Sequence, residues 1–145
     1  MRILALDYGD KRIGAAICDE LEIAAHGLTT IMRRNSNADI NMISEFITNL
    51  GVEKIVVGYP VRIDGSEGRQ CEKVNHFISR LETHFSIPIV RWNETFSTKE
   101  AEDIMKENGY VRGKKKKNII DRIAASVILQ SYLDSQANQA IDSIN

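Results

Sequence analysis

Three carboxylates at or near the ends of apolar segments are the residues with which this sequence could do chemistry. Asp7 follows the apolar run "RILAL", and Glu94 follows "IPIVRW" and a single asparagine. Further along the chain, Asp121 shares one helical stripe with small and apolar residues, namely Ala124, Ala125, Ile128 and Tyr132. Carboxylate oxygens are the ligands that Mg²⁺ prefers, and a pair of such ions can activate a water against a phosphodiester. The pattern is therefore compatible with metal-dependent phosphoryl transfer.

Two of these carboxylates also fit a purely structural role. Asp7 could cap the turn that Gly9 predicts, by accepting hydrogen bonds from backbone N–H groups. Asn118 and Asp121 have the spacing of a capping box, which would put Asp121 in the first turn of a helix, where the helix dipole favours it. Capping and metal binding do not exclude each other, so both interpretations stay open for each residue.

Positive charge gathers at a few places along the chain, although the net charge is only −1. A nearly neutral total with local basic clusters is compatible with a nucleic-acid partner. The segment "YPVRIDGSEGRQ" predicts a strand, a glycine-containing turn and a helix capped by Ser66, and helix N-termini bind phosphate. The candidate nucleic-acid-binding residues are Lys11, Arg12, Arg62, Gly65, Ser66, Arg69, Lys114, Lys115, Lys116 and Lys117.

Both basic segments also have an interpretation without a ligand. "RIDGSEG" is equally typical of a glycine-rich connection, and "RGKKKK" (112–117) is typical of a solvated loop. The lysine run, however, leads directly into the segment that carries Asp121. A phosphate backbone bound there would meet lysines and carboxylates together, which favours a role in binding.

The composition is that of a globular protein, with 43% hydrophobic and 27% charged residues among 145. That length suits one domain, which we predict over residues 1–136, followed by a flexible tail over residues 137–145. No apolar run approaches the roughly 20 residues that span a bilayer, and the N-terminus does not resemble a secretory signal. We therefore expect a cytoplasmic protein that does not bind membranes, with Cys18 and Cys71 as free thiols.

The order of apolar segments predicts the fold class. Three short apolar segments with short connections come first, which is typical of an antiparallel meander. Two further strands then alternate with amphipathic helices, and two helices close the chain. This β-β-β-α-β-α-β-α-α order predicts an α/β fold, in which a mixed central sheet opens with an antiparallel meander and carries helices on both faces. Ligands of such sheets gather at the carboxyl ends of parallel strands, where Asp7 and Glu94 stand.

Three long motifs resemble the YqgF family, also called RuvX, whose members are described as pre-16S rRNA nucleases or Holliday junction resolvases. "LALDYGDKRIGAAICD" (4–19) is similar to the family's DxGxKRIG motif, and "VVGYPVRIDGSEG" (56–68) to its GLPxxxDGSEG motif. "IDRIAASVILQSYL" (120–133) is similar to its closing DxxAAxxILQxYL segment. The resemblance covers nearly the whole chain.

The resemblance implies an RNase H-like fold and a nuclease in which Asp7 and Asp121 bind metal. We expect Mg²⁺ or Mn²⁺, with Glu94 as the third ligand. The implied partners are RNA, as pre-rRNA or a pre-ribosomal particle, or branched DNA. Processing of the 5′ end of pre-16S rRNA is the leading hypothesis, and resolution of Holliday junctions is the alternative.

The chain departs from the family at one motif. The family usually has DERxST after the fifth strand, whereas this chain has "NETFST", with Asn93 and Thr95 in place of Asp and Arg. Neighbouring residues of a strand point to opposite faces, so only one of Asn93 and Glu94 can face the metal site. If Asn93 faces it, the metal site has one negative charge fewer than the family's. Ser97 and Glu100 fit a capping box for the next helix and need no catalytic role.

Two rival functions follow from these residues. Because "NET" replaces "DER", the chain could be a weakly active or inactive protein that binds RNA or a ribosome precursor. Asp-x-Gly after a first strand also occurs in sugar-kinase-like ATPases, but these close two lobes on a nucleotide and 145 residues supply only one. Binding without cleavage, or binding of ATP, would distinguish these rivals from the nuclease.

Overall fold

The structure, a computed structural model, describes residues 1–62, 64–94, 103–104, 106–107 and 114–144. Its helices are α1 (Ser36–Leu50), α2 (Arg69–His84) and α3 (Lys114–Ile144). Residues 103–104 and 106–107 are helical as well. Its strands are β1 (Arg2–Tyr8), β2 (Arg12–Cys18), β3 (Ala25–Met32), β4 (Val52–Tyr59) and β5 (Ile89–Asn93).

The strands form one mixed sheet with the order β3-β2-β1-β4-β5. β1, β2 and β3 pair in antiparallel fashion, while β4 pairs in parallel with β1 and with β5. The opening meander and the mixed sheet predicted from the sequence are thereby confirmed. The parallel pairs bring the carboxyl ends of β1, β4 and β5 to the same edge of the sheet.

Helices cover both faces of the sheet, as predicted. Alternate residues of β1 enter two different cores: Leu4 and Leu6 pack with α1 and α2, while Ile3 and Ala5 pack with α3. Each of these four side chains is fully buried, and burial of a large aliphatic side chain stabilises a fold by about 1.5–3 kcal/mol. The alternation therefore assigns each residue of β1 to one face, including the polar residues at its end.

Helix α1 is capped at both ends, and the glycine that follows its helically spaced apolar residues, Gly51, is the C-cap that the sequence predicts. The Asn35 side chain accepts a hydrogen bond from the backbone N–H of Ala38, and Gly51 closes the helix in the left-handed conformation at φ 64°. The Gly51 N–H returns to the carbonyl of Ile47. Gly51 is thus confirmed as the C-cap, because glycine adopts positive φ without steric cost.

The start of α2 differs from the prediction. Gly68, not Ser66, is the N-cap, and no side chain in the described part of the chain caps the helix. Ser66 belongs instead to a turn in which the Asp64 carboxylate accepts hydrogen bonds from the Ser66 backbone N–H at 2.9 Å and from its hydroxyl at 2.6 Å. The prediction that Ser66 caps the helix is wrong because Asp64, two residues earlier, engages its hydroxyl in a local turn.

The last helix is longer at both ends than the sequence suggested. It already includes Lys114, so Asn118 and Asp121 lie inside it and do not form an N-terminal capping box. The lysines 114–117 are helical and not a loop. At the other end, the helix continues through residues 137–144, and the flexibility predicted for this tail stays a prediction. The lysines at the start of the helix are good helix formers, which favours the N-terminal extension.

Two further sequence expectations concern the rest of the chain. Within the residues described, no helix has the length and apolar character needed to cross a membrane. Cys18 and Cys71 are both free and buried. Thr95, Ser97 and Glu100, together with most of the predicted third helix, lie outside the described residues.

Candidate active site

Asp7 lies within β1 and on the face that packs against α3. It is two residues beyond Ala5, which enters the α3 core, so the alternation of the strand directs it to the same side. It pairs directly with Gly14 of β2. The alternative role of Asp7 as a cap for Gly9 is not observed, because the Gly9 N–H donates to the Arg12 carbonyl at 2.9 Å.

Glu94 reaches the same face from β5. Trp92 of that strand packs with the α3 core, and Gly58 of β4 pairs with it. Two residues after Trp92, the Glu94 carboxyl lies over Gly58, where a Cβ would come within 2.8 Å of its Cδ atom. Asn93 is exposed, whereas Glu94 is partly buried. The question of which residue turns toward Asp7 is thereby answered in favour of Glu94.

Asp7 and Glu94 form a hydrogen-bonded pair of carboxyl groups. Such a bond requires a shared proton, since two carboxylates would repel each other. Burial raises the pKa of Asp7 to about 6, against an ordinary value of 3.8. The hydrogen bond with Glu94 lowers this pKa in part, and the negative charge of Asp121 raises it. At neutral pH the Asp7 carboxyl is therefore mostly ionised in a buried position, where a bound positive charge would stabilise it.

Asp121 approaches from α3 through a close contact between helix and strand. A Cβ on Gly14 would come 2.1 Å from the Asp121 carbonyl oxygen, so only glycine allows this approach. The Asp121 carboxylate accepts a hydrogen bond from Arg12 Nε at 2.7 Å, with about a fifth to a quarter of each side chain exposed. The chain's own guanidinium thus neutralises the third carboxylate.

The three carboxyl groups meet part of what a divalent cation requires of its ligands. In the described part of the chain, no three Asp, Glu, His or Cys side chains are arranged to hold a metal ion as they stand. Asp7 and Glu94 bring two carboxyl groups together, and Mg²⁺ sites in proteins often use only one or two carboxylates together with substrate phosphates. Asp121 stays near enough to raise the pKa of Asp7, but it pairs with Arg12. The donor chemistry therefore fits a hard cation.

The predicted basic residues lie in several places. Lys11 is exposed in the β1–β2 turn, and Arg69 is the exposed first residue of α2. The Arg62 guanidinium lies over the backbone of Gly68, where a Cβ would come 2.7 Å from it. Gly65, at φ 85°, and Ser66 are exposed in the turn between Arg62 and Gly68. Arg12, by contrast, belongs to the carboxylate cluster.

The lysine run belongs to the first turn of α3. Lys117 is exposed and precedes Asp121 by one helical turn, so the two share a side of the helix. The backbone of Lys114, Lys115 and Lys116 is helical as well. The run therefore begins the same helix that carries Asp121.

Two glycines belong to the site although the sequence analysis did not select them. Gly14 and Gly58 each let another part of the site approach the sheet: the backbone of Asp121 in one case, the carboxyl of Glu94 in the other. Each stands inside a largely buried strand. A glycine in the middle of a strand often marks such a close approach, which is the signal that could have identified them.

Comparison with known proteins places this chain in a family. The family model described as "RuvX: Holliday junction resolvase" matches residues 1–135. A protein of Syntrophus aciditrophicus (strain SB), named "Putative pre-16S rRNA nuclease", is 52% identical over 143 residues, which are 99% of this chain and 95% of that protein.

Solved structures share the fold at low sequence identity. The fowlpox virus resolvase, in a complex with Holliday junction DNA, matches with a TM-score of 0.57 at 18% identity, over 94% of this chain and 99% of that one. RuvC of T. thermophilus, with a Holliday junction substrate, matches with a TM-score of 0.54 at 15% identity, over 94% and 96% of the two chains. The RNase H-like fold is thereby confirmed.

Proposed function

The chain belongs to the RuvX family, and from that membership we propose that it is a divalent-metal-dependent endonuclease that processes the 5′ end of pre-16S rRNA. The relative that is 52% identical carries a name of this kind. The proposal assigns Asp7, Glu94 and Asp121 as the residues that hold Mg²⁺ or Mn²⁺. RNA, as pre-rRNA or a pre-ribosomal particle, is the proposed substrate.

The pairing of Asp7 with Glu94 beside Asp121 is the observation that carries this proposal. Burial and the nearby charge of Asp121 make ionisation of Asp7 unfavourable, as its raised pKa indicates. A site of this kind gains from a bound cation. When bound, Mg²⁺ or Mn²⁺ supplies a nucleophilic water and neutralises charge on the phosphodiester.

The chain's own residues would bind and orient the nucleic acid. The exposed cations Lys11, Arg69 and Lys117 lie on three elements, and phosphate contacts of this type set the position of a backbone without reading its sequence. Arg62 adds a guanidinium over Gly68, the N-cap of α2, and among the described residues no side chain accepts a capping hydrogen bond from the first N–H groups of that helix. These groups provide both donors and positive potential for a phosphate.

The test uses the purified chain with a 16S rRNA precursor fragment that carries a 5′ extension. We expect cleavage with Mg²⁺ or Mn²⁺, none in EDTA, and recovery when the metal is restored. A fragment that starts at the mature 5′ end is the matched control and should remain intact. Equal cleavage of both fragments would contradict specific processing, and no cleavage at any metal concentration would contradict the nuclease.

Resolution of branched DNA is the second candidate, because the family model is described as a Holliday junction resolvase. A four-way DNA junction added to the RNA reaction distinguishes the two substrates. If RNA processing is the function, the junction should inhibit only by occupying the basic residues and should not itself be cut. Symmetric cleavage of the junction, with the RNA intact, would favour the resolvase.

The rival hypothesis of an inactive binding protein depends on Asn93. We expect Asn93→Asp to change the rate of cleavage by less than about threefold, because Asn93 is exposed and its neighbour Glu94 contacts Asp7. Glu94→Gln in the same dipeptide is the control, and it should lower the rate strongly. A large gain of activity in Asn93→Asp would mean that the missing carboxylate limits this chain.

A further inference from the structure

A small cavity lies on the opposite face of β1 from Asp7. It has a volume of about 80 Å³ and is enclosed by the end of β1, the start of α1 and the middle of α2. Tyr8 follows Asp7 directly, and because strand residues alternate, it faces the α1 and α2 side. The residues that matter for its chemistry are Tyr8, Arg33, Asp39, His76, Phe77 and Arg80.

Arg80 is the unexplained residue of this cavity. Its Nε atom is buried and has no hydrogen-bond partner in the described part of the chain. The ion pairs found among those residues do not include it either. A buried donor without a partner costs about 1–3 kcal/mol, and more for a charged group, so folded proteins rarely retain one. A group from outside the chain that accepts from Arg80 would remove this cost.

Arg33 supplies a second guanidinium that is already held in place. It donates to the carbonyl oxygens of Gly9 at 3.2 Å and Asp10 at 3.0 Å, and its Nε lies 3.4 Å from the Asp39 carboxylate. Asp39 is only 5% exposed and balances one positive charge. With two arginines and one acid, the cavity keeps a net positive charge that favours an anion.

The shape of the cavity excludes a nucleobase and suits a smaller group. The Arg33 guanidinium lies 4.5 Å from the centre of the Tyr8 ring, and Phe77 stacks on Tyr8 at 4.3 Å with an interplanar angle of 22°. Since Tyr8 has partners on its faces, a base cannot stack on it. The volume is also far below the roughly 300–1,000 Å³ of pockets that bind drug-sized ligands.

We propose that this cavity binds one phosphate group, with Arg80 and Arg33 as its donors. Arginine suits phosphate because its planar fork donates two parallel hydrogen bonds. Ser36, the first residue of α1, also lines the cavity, so the positive end of the α1 dipole lies on the same side. The phosphate comes either from a free phosphate ion or small nucleotide, or from the 5′ end of an RNA.

The test measures phosphate binding directly, by isothermal titration with inorganic phosphate in EDTA and at constant ionic strength. We expect wild type to bind, and Arg80→Met to bind at least about tenfold more weakly, the loss expected for one charge-assisted hydrogen bond. Arg34→Met is the matched control, because Arg34 is exposed beside the cavity and its loss changes the net charge equally. Binding by wild type that is equally tight in Arg80→Met, or absent altogether, would overturn the proposal.

A second measurement separates a binding role from a structural one. Without phosphate, Arg80→Met should raise the melting temperature, because it removes a buried donor that lacks a partner. If Arg80 instead stabilised the fold, Arg80→Met should lower the melting temperature. Should Arg80→Met fail to fold, Arg80→Lys keeps the charge without the Nε donor, and we expect about tenfold weaker binding. Unchanged binding in Arg80→Lys would then contradict the proposal.

The source of the phosphate is decided by comparing ligands. Binding of a 5′-phosphorylated oligoribonucleotide that depends on Arg80, with weaker binding of the 5′-hydroxyl form, would identify an RNA end. Binding of inorganic phosphate or AMP, with no difference between the two oligoribonucleotides, would identify a free ion or small nucleotide. Because these titrations contain EDTA, the result does not depend on nuclease activity.

Discussion

Replacing Asp7 with asparagine is expected to abolish cleavage and, in the absence of metal, to make the fold more stable. Asparagine has the same shape but cannot supply the negative charge that the proposed cation needs. Stabilisation of charge by a metal lowers a reaction barrier by several kcal/mol. Its loss should therefore reduce the rate by at least about 100-fold. The measurement is cleavage of the rRNA precursor fragment with Mg²⁺ or Mn²⁺.

The gain in stability follows from the raised pKa of Asp7. A carboxyl with an ordinary pKa of 3.8 and a folded value of about 6 is protonated more readily in the folded protein than in the unfolded chain. The folded state therefore loses stability as pH rises from about 4 to about 6, by up to about 3 kcal/mol. An amide avoids this loss, so Asp7→Asn should exceed wild type in free energy of unfolding above pH 6. The two proteins should converge near pH 4.

Asp10→Asn is the matched control for both effects. Asp10 lies three residues after Asp7, in the turn that follows β1, is exposed and pairs with Lys73 at 2.9 Å. Its hydrogen bond and ion pair with Lys73 hold the pKa of Asp10 below its ordinary value, so neutralising it should slightly lower stability. Cleavage should be unaffected. Full cleavage by Asp7→Asn, or a loss of metal-free stability in that variant at pH 7, would contradict the assignment of the site.

Gly14→Ala is expected to cause the largest loss of stability among single-methyl substitutions at the site. The added Cβ would lie 2.1 Å from the Asp121 carbonyl oxygen and 2.5 Å from its carbonyl carbon. Both are backbone atoms of a long packed helix, so α3 must shift away from β2. Overpacking of this kind costs about 1–3 kcal/mol and occasionally more, and we expect the upper end. Denaturant unfolding measures it.

Displacement of α3 should also reduce activity, because Asp121 and its contact with Arg12 move with the helix. Gly27→Ala is the control, since Gly27 on β3 meets the same helix but only at the Arg122 Cβ, 3.3 Å away. A few tenths of an ångström relieve that contact, so the loss of stability should be below about 1 kcal/mol. Equal effects of the two alanines would show that the close approach at Gly14 does not matter.

Much of the fold follows from local patterns in the sequence. The short apolar runs predicted the strands, and Gly51 predicted the end of α1, because both depend on interactions within a few residues. Errors arose where two local patterns competed. Ser66 fits a helix cap but takes part in a turn with Asp64, and Asn118 fits a cap but stands inside a helix that begins upstream.

The sequence by itself predicted three candidate carboxylates beside apolar segments, namely Asp7, Glu94 and Asp121. Only the tertiary structure decided how they meet. The β4–β5 register directs Glu94 toward Asp7, and Gly14 brings the α3 backbone close enough for Asp121 to pair with Arg12. The cavity at Arg80 likewise exists only where three elements pack. Contacts between distant segments depend on register and packing, which no local spacing encodes.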